Sequence, residues 1–166
     1  MTRKARIRAA LVTTTALVTG ATVTVGVGAA SSDAGARPTK KQIAALFDGW
    51  NKALQSGDAE TVAARYAKDA VLLPTASPQI RTDRAAIIDY FEHFQDNKPR
   101  GEKIRSVINV LDQNSAIDTG LYRFHFTDAK TGEERTVEAR YTYAYEKRNG
   151  TWLIVNHHSS VLPPAN

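Results

Sequence analysis

Residues 139–160 read ARYTYAYEKRNGTWLIVNHHSS, and how they pair decides the fold. Two runs that alternate with a period of two, the mark of a half-buried strand, flank Asn149-Gly150. That dipeptide suits a two-residue type I′ turn, whose central positions both need positive φ, so the stretch is a β-hairpin. A two-residue loop sets Thr142 opposite His157 and Arg140 opposite Ser159. Arg140, Thr142, His157 and Ser159 then share one face, and Tyr141, Tyr143, Asn156 and His158 share the other. A three-residue loop with a bulge would move the register by one and place His158 and Ser160 beside Arg140. The Asn-Gly dipeptide favours the first register.

The strand period extends upstream. EKIRSVINVL (102–111) and SAIDTGLYRFHFT (115–127) are two further strands, and the first strand of the hairpin begins at ERTVEARYTYAYEK (134–147), with turns at Asp112–Ser115 and Ala129–Glu133. Before residue 100 the period is helical. Thr39 with Gln42 fits a capping box, and Ile43, Leu46, Phe47, Trp50 and Leu54 follow on one face. Gly57 stops that helix. Asp58 caps a short second one, in which Val62, Ala63 and Tyr66 share a face. DAVLLP (69–74) is a short buried strand. Thr82 or Asp83 opens a third helix striped with Ile87, Tyr90, Phe91 and Phe94. Helices first and then an antiparallel meander give an α+β fold, with the helices on one face of a curved sheet.

The 166 residues carry a net charge of +5, unevenly placed. Residues 1–30 hold four basic residues and no acid; the remainder has 18 Lys and Arg against 17 Asp and Glu, a net of +1. Such a balance offers no basic patch for nucleic acid. A cationic start, an Ala/Val/Thr-rich run and Gly28-Ala29-Ala30 make 1–30 a signal peptide, so the protein is expected to be secreted. The alternative is an uncleaved membrane anchor, since Ala9 to Ala30 is long enough to span a bilayer. Its many Thr and Gly residues speak against that, and no stable membrane insertion is expected after cleavage. Without a twin-arginine pair, the general secretion route is favoured. Residues 31–39 form a flexible linker, and 40–163 form one domain. Cysteine is absent, which excludes disulfides and thiolate metal sites.

The pieces FDGWNKALQSGDAETVAARYAKDAVLLPT, DYFEHF and ARYTYAYEKRNGTWLIVNHHSSVLP resemble the nuclear transport factor 2-like superfamily. Within it they are similar to SgcJ/EcaC-type and SnoaL-like proteins and to the association domain of calcium/calmodulin-dependent protein kinase II. The resemblance runs from about Lys40 to Pro163. It implies a cystatin-like α+β cone: three N-terminal helices against a strongly curved antiparallel sheet, with a pocket between them. It also implies a homodimer or higher oligomer formed through the sheet. Fold alone does not fix function in this superfamily.

The histidines come next. Neighbouring strand residues point to opposite faces, so His157 and His158 cannot readily hold one metal, and no ligand trio accompanies them. No metal or cofactor is expected, and no dinucleotide fingerprint supports the oxidoreductase label of SgcJ/EcaC proteins. One histidine faces the pocket while the other packs on the opposite face or in an oligomer contact. Arg140 is either an exposed or salt-bridged residue, with Glu138 or Asp118 as partner, or a fork that holds a carboxylate. The resemblance supports the fork, since the kinase association domain has an arginine-lined cavity. This chain has serines where that domain carries a further arginine in its last strand. Tyr66, Tyr90 and Tyr122 can bring hydroxyls to the pocket mouth, whereas Tyr141, Tyr143 and Tyr145 form a packing stripe. Asp69 and Asp118 are the candidate acids.

Two functions follow. The favoured one is an exported module that binds a small anionic molecule through Arg140, His157, Ser159, Thr142, Tyr90 and Tyr122, and self-associates. The alternative is a cofactor-free SnoaL-like enzyme in which His157 or His158 moves a proton on a carbonyl substrate, with Asp69 as a third catalytic candidate. Whether the chain is an enzyme is left open between them.

Overall fold

The computed structural model describes residues 35–164; the leader and residues 31–34 of the linker lie outside the described residues. Helix α1 (Lys40–Leu54) begins at the expected capping box. The Thr39 hydroxyl accepts the Gln42 N–H at 3.2 Å, and the Gln42 side chain accepts the Thr39 N–H at 2.8 Å. Its apolar stripe buries Ile43, Phe47, Trp50 and Leu54, and Gly57 follows with φ of 75°. Asp58 caps α2 (Ala59–Ala63), and Asp83 caps α3 (Arg84–Gln95). No helix among the described residues is long and apolar enough to cross a membrane.

Tyr66 departs from the expectation that it ends the second helix. It opens strand β1 (Tyr66–Leu73), because the chain leaves the helix at Ala64 and the Arg65 carbonyl takes the Ile154 N–H at 2.9 Å. The remaining strands are β2 (Arg100–Val110), β3 (Ser115–Thr127), β4 (Glu134–Arg148) and β5 (Thr151–Val161). They form one sheet in the order β1-β5-β4-β3-β2. The meander from β2 to β5 is antiparallel as expected, whereas β1 pairs with β5 in parallel, so the sheet is mixed at that edge. The helices pack on its concave face. Asn51 bolts α1 to the start of β2: its amide donates to the Gly101 carbonyl and accepts the Gly101 N–H, both at 2.8 Å.

The hairpin of β4 and β5 corrects the expected register. Asn149 and Gly150 have φ of 51° and 81°, so the two-residue loop holds, and pairing runs from Arg148–Thr151 to Tyr145–Ile154. Val155 is then an extra residue, a bulge opposite the Tyr145–Ala144 step. Beyond it Tyr143 faces His157, Thr142 faces His158, Tyr141 faces Ser159 and Arg140 faces Ser160. The loop is the one the dipeptide favours; the faces are those of the other register.

A second bulge, between Lys103 and Arg105, lies beside Gly120. A Cβ built on Gly120 would sit 1.9 Å from the Arg105 carbonyl oxygen, so only glycine lets β2 approach β3 there. Gly120→Ala is therefore expected to lower unfolding stability by about 1–3 kcal/mol, the usual range for overpacking. An unchanged urea midpoint would show that this close approach is not needed.

Candidate functional site

The concave face of the sheet and helix α3 enclose a cavity of about 590 Å³. Tyr90, Phe91 and Phe94 from α3 and Phe124 and Phe126 from β3 give it aromatic walls. Aromatic residues three and four apart on α3 meet aromatic residues two apart on β3, so the helical and strand periods converge on one apolar chamber.

The bulge at Val155 sets the polar inner end. It turns His157 and Ser159 inward and His158 outward. His157 is 4% exposed, and its ring stacks on Tyr143 with centroids 4.1 Å apart. Its Nδ1 lies 2.9 Å from the Tyr66 hydroxyl, which accepts the Trp50 indole N–H at 3.1 Å. Nδ1 is the only partner among the described residues for the Tyr66 hydroxyl proton, and the tautomer that uses that proton carries the ring proton of His157 on Nε2. Burial, helped by the charge on His158, pushes the His157 pKa down to about 3, so the ring is neutral near pH 7. Its basic nitrogen is already engaged.

Beside it, Ser159 Oγ accepts from the Tyr122 hydroxyl at 2.5 Å and lies 2.5 Å from the Thr75 hydroxyl, in the loop after β1. Burial raises the Tyr122 and Tyr90 phenols, so both remain neutral. Also on the cavity wall, Arg81 Nη1 donates to Asp89 at 2.5 Å, while Arg81 Nε is buried without a partner. The Arg135 guanidinium lies 4.3 Å over the Phe126 ring. His93, one turn after Asp89, has its pKa raised, first by the bond to the Asp89 carbonyl and then by the Asp89 carboxylate. Among the described residues no group of three His, Cys, Asp or Glu side chains could hold a metal.

Of the residues expected at the site, His157, Ser159, Tyr90 and Tyr122 line the cavity. Arg140, Thr142 and His158 stand on the opposite face of the sheet, Arg140 exposed: Tyr141 and Tyr143 take the inward positions of β4, and the bulge in β5 turns His158 out beside Thr142. Arg140 finds neither expected partner: Glu138 pairs with Arg123, and Asp118 is fully buried. Asp118 accepts from Ser106 at 2.5 Å and Tyr141 at 3.1 Å, with Lys103 Nζ 3.9 Å away, and does not line the cavity. Asp69 is exposed and bound to Arg148 at 2.5 Å, which lowers its pKa, and it does not line the cavity. Tyr66 is hydrogen-bonded to His157 behind the cavity wall and does not line the cavity. Thr75, Arg81 and Arg135 went unnoticed in the sequence. The first two lie in or beside an irregular loop without periodicity, and Arg135 near the start of its strand carries no local signal.

Residues 39–163 match the family model described as the calcium/calmodulin dependent protein kinase II association domain. Among solved structures the chain is similar to a Xanthomonas campestris protein described as a candidate association domain of that kind. The two are 48% identical with a TM-score of 0.75, over 78% of this chain and 94% of that one. It is also similar to a nuclear transport factor 2-like superfamily protein from Salmonella enterica, at 15% identity and TM-score 0.65, over 76% and 92% of the two chains. A candidate scytalone dehydratase from Novosphingobium aromaticivorans is 14% identical with a TM-score of 0.67, over 74% and 83%. The last two likenesses show the fold alone. No curated protein matches the chain.

The state of His157 has a measurable consequence. Its folded pKa of about 3 lies below the unfolded value of about 6.5, so only the unfolded chain takes up this proton between those limits. The contribution to stability is complete above pH 6.5 and is lost as pH falls toward 3, by at most about 1.4 kcal/mol per pH unit. His157→Gln, which keeps an acceptor for Tyr66, is expected to flatten the decline in denaturant stability between pH 6 and pH 4. An equal slope in wild type and variant would show that His157 is not held neutral.

Proposed function

The chain belongs to the calcium/calmodulin dependent protein kinase II association domain family, and on that premise we propose that it is an exported module that binds a small molecule in its cone and associates with copies of itself. The observation that carries the binding reading is the cavity: a mostly apolar chamber with aromatic walls and a few convergent polar groups is the usual form of a small-molecule site. An anionic group on the ligand is served by Arg135, which lines the cavity, and not by Arg140. The enzymatic reading has less support. His157 is bonded to a tyrosine instead of a carboxylate, and a pKa of about 3 makes it a poor base at neutral pH.

Self-association is supported by the family's description and by the outer face of the sheet. There the rungs Ile117–Ala144–Asn156 and Thr119–Thr142–His158 carry no Lys, Arg, Asp or Glu. Arg140 and the Arg123–Glu138 pair border that centre and would set its orientation in a self-complementary contact. Export rests on the leader composition.

Benzoate is expected to raise the melting temperature of the wild type. Arg135→Ala should remove most of the rise, and Arg140→Ala should keep it. No rise in the wild type would overturn the anionic preference. Native mass spectrometry of the protein recovered from the culture medium checks the other two elements together. We expect protomers that begin near Ser31, assembled in two or more copies, with Thr142→Asp shifting them to monomers. Wild-type monomers would rule out the sheet contact, and a retained leader would rule out cleavage.

A further inference from the structure

Resting on the cavity reading, the inner end of the chamber says what kind of group it receives. Tyr122, Ser159 and Thr75 form a chain of three hydroxyls joined by two hydrogen bonds. Three hydroxyls bring three protons and the two bonds use two of them. One O–H is therefore left over, on Thr75 or on Ser159, whichever way their shared bond runs. A second donor sits two residues along the same face of β5. His157 Nε2 is buried without a partner, in a ring that lines the cavity and whose other nitrogen is turned to Tyr66. Same-face neighbours on a strand are about 6.6 Å apart at Cα, so one atom lying between them can be reached by both side chains.

Both spare groups are donors, and none of the four residues carries a charge. A carboxylate placed here would lose its hydration with no opposite charge to replace it, since Arg81 is committed to Asp89. A neutral oxygen with two lone pairs meets both donors without that cost, and a buried donor left unsatisfied is itself unfavourable. We propose that the inner end of the cavity is a receptor for a neutral carbonyl oxygen, of a ketone, aldehyde or amide, which accepts from His157 Nε2–H and from the spare hydroxyl of the Ser159–Thr75 pair. The carbon skeleton of the ligand lies against Phe91, Phe94 and Phe124.

Acetophenone and cumene test this, because they match in shape and differ in the oxygen. Isothermal calorimetry on the full domain is expected to show acetophenone binding about tenfold more tightly than cumene, the effect of one to two neutral hydrogen bonds. Ser159→Ala and, separately, His157→Phe should each bring the ratio toward one. Equal affinities in the wild type would overturn the carbonyl receptor while leaving the apolar cavity as a binding site. Binding of neither compound would instead remove the cavity reading on which the receptor rests. A tenfold preference that survives both substitutions would overturn the assignment to these residues.

Discussion

Trp50, Tyr66 and His157 are joined by two hydrogen bonds where α1, β1 and β5 meet, out of reach of water, and only His157 Nε2 among their side-chain polar atoms is left without a partner. Each would be costly to bury alone, because an unpaired polar group in the interior loses its water without compensation. Together they tie a helix to the two strands that pair in parallel at the sheet edge. The relay works only if His157 faces inward, and that requires the extra residue at Val155. Once β5 has shifted by one, Ser159 also faces inward, where Tyr122 and Thr75 meet it. The polar inner end of the cavity is thus a consequence of how one histidine is satisfied.

The same shift sorts the charges. Arg140 and His158, which a straight ladder would divide between the two faces, both point outward. The chamber holds neutral donors around His157, while Arg135 on its wall is exposed and Arg81 is paired with the exposed carboxylate of Asp89. This order follows from dielectric cost. A charge near the opening keeps part of its hydration, whereas one beside His157 would lose nearly all of it. It also gives the two faces of the sheet different characters: a concave face with a polar inner end and an outer face whose central rungs carry no Lys, Arg, Asp or Glu.

Much of the fold was legible because its signals are local. Thr39 and Gln42 reach across a single helical turn, Asp58 and Asp83 cap by bonding to backbone one turn ahead, and Asn149-Gly150 accommodates positive φ at both turn positions. Strand β3 has the span that its alternation indicates, Ser115–Thr127. Tyr66 was misplaced because a short helix and a strand start share the same apolar spacing over a few residues, and its strand partner lies about ninety residues away in Ile154. The parallel pairing of β1 with β5 was hidden for the same reason.

The candidate site was legible only in part. That His157 and His158 must serve opposite faces follows from the strand period alone, and the clustering of Tyr90 with Phe91 and Phe94 follows from the helical one. Which histidine enters the cavity was decided by the tertiary structure. A bulge has no dedicated residue signature here: Val155 is an ordinary strand residue, and the ladder admits it because the buried relay on the far side of the sheet favours the shifted register. Turn type, caps and face alternation are set within a few residues of chain, so the sequence determined them; a one-residue register depends on partners brought together from residues 50, 66 and 157, and only packing could decide it.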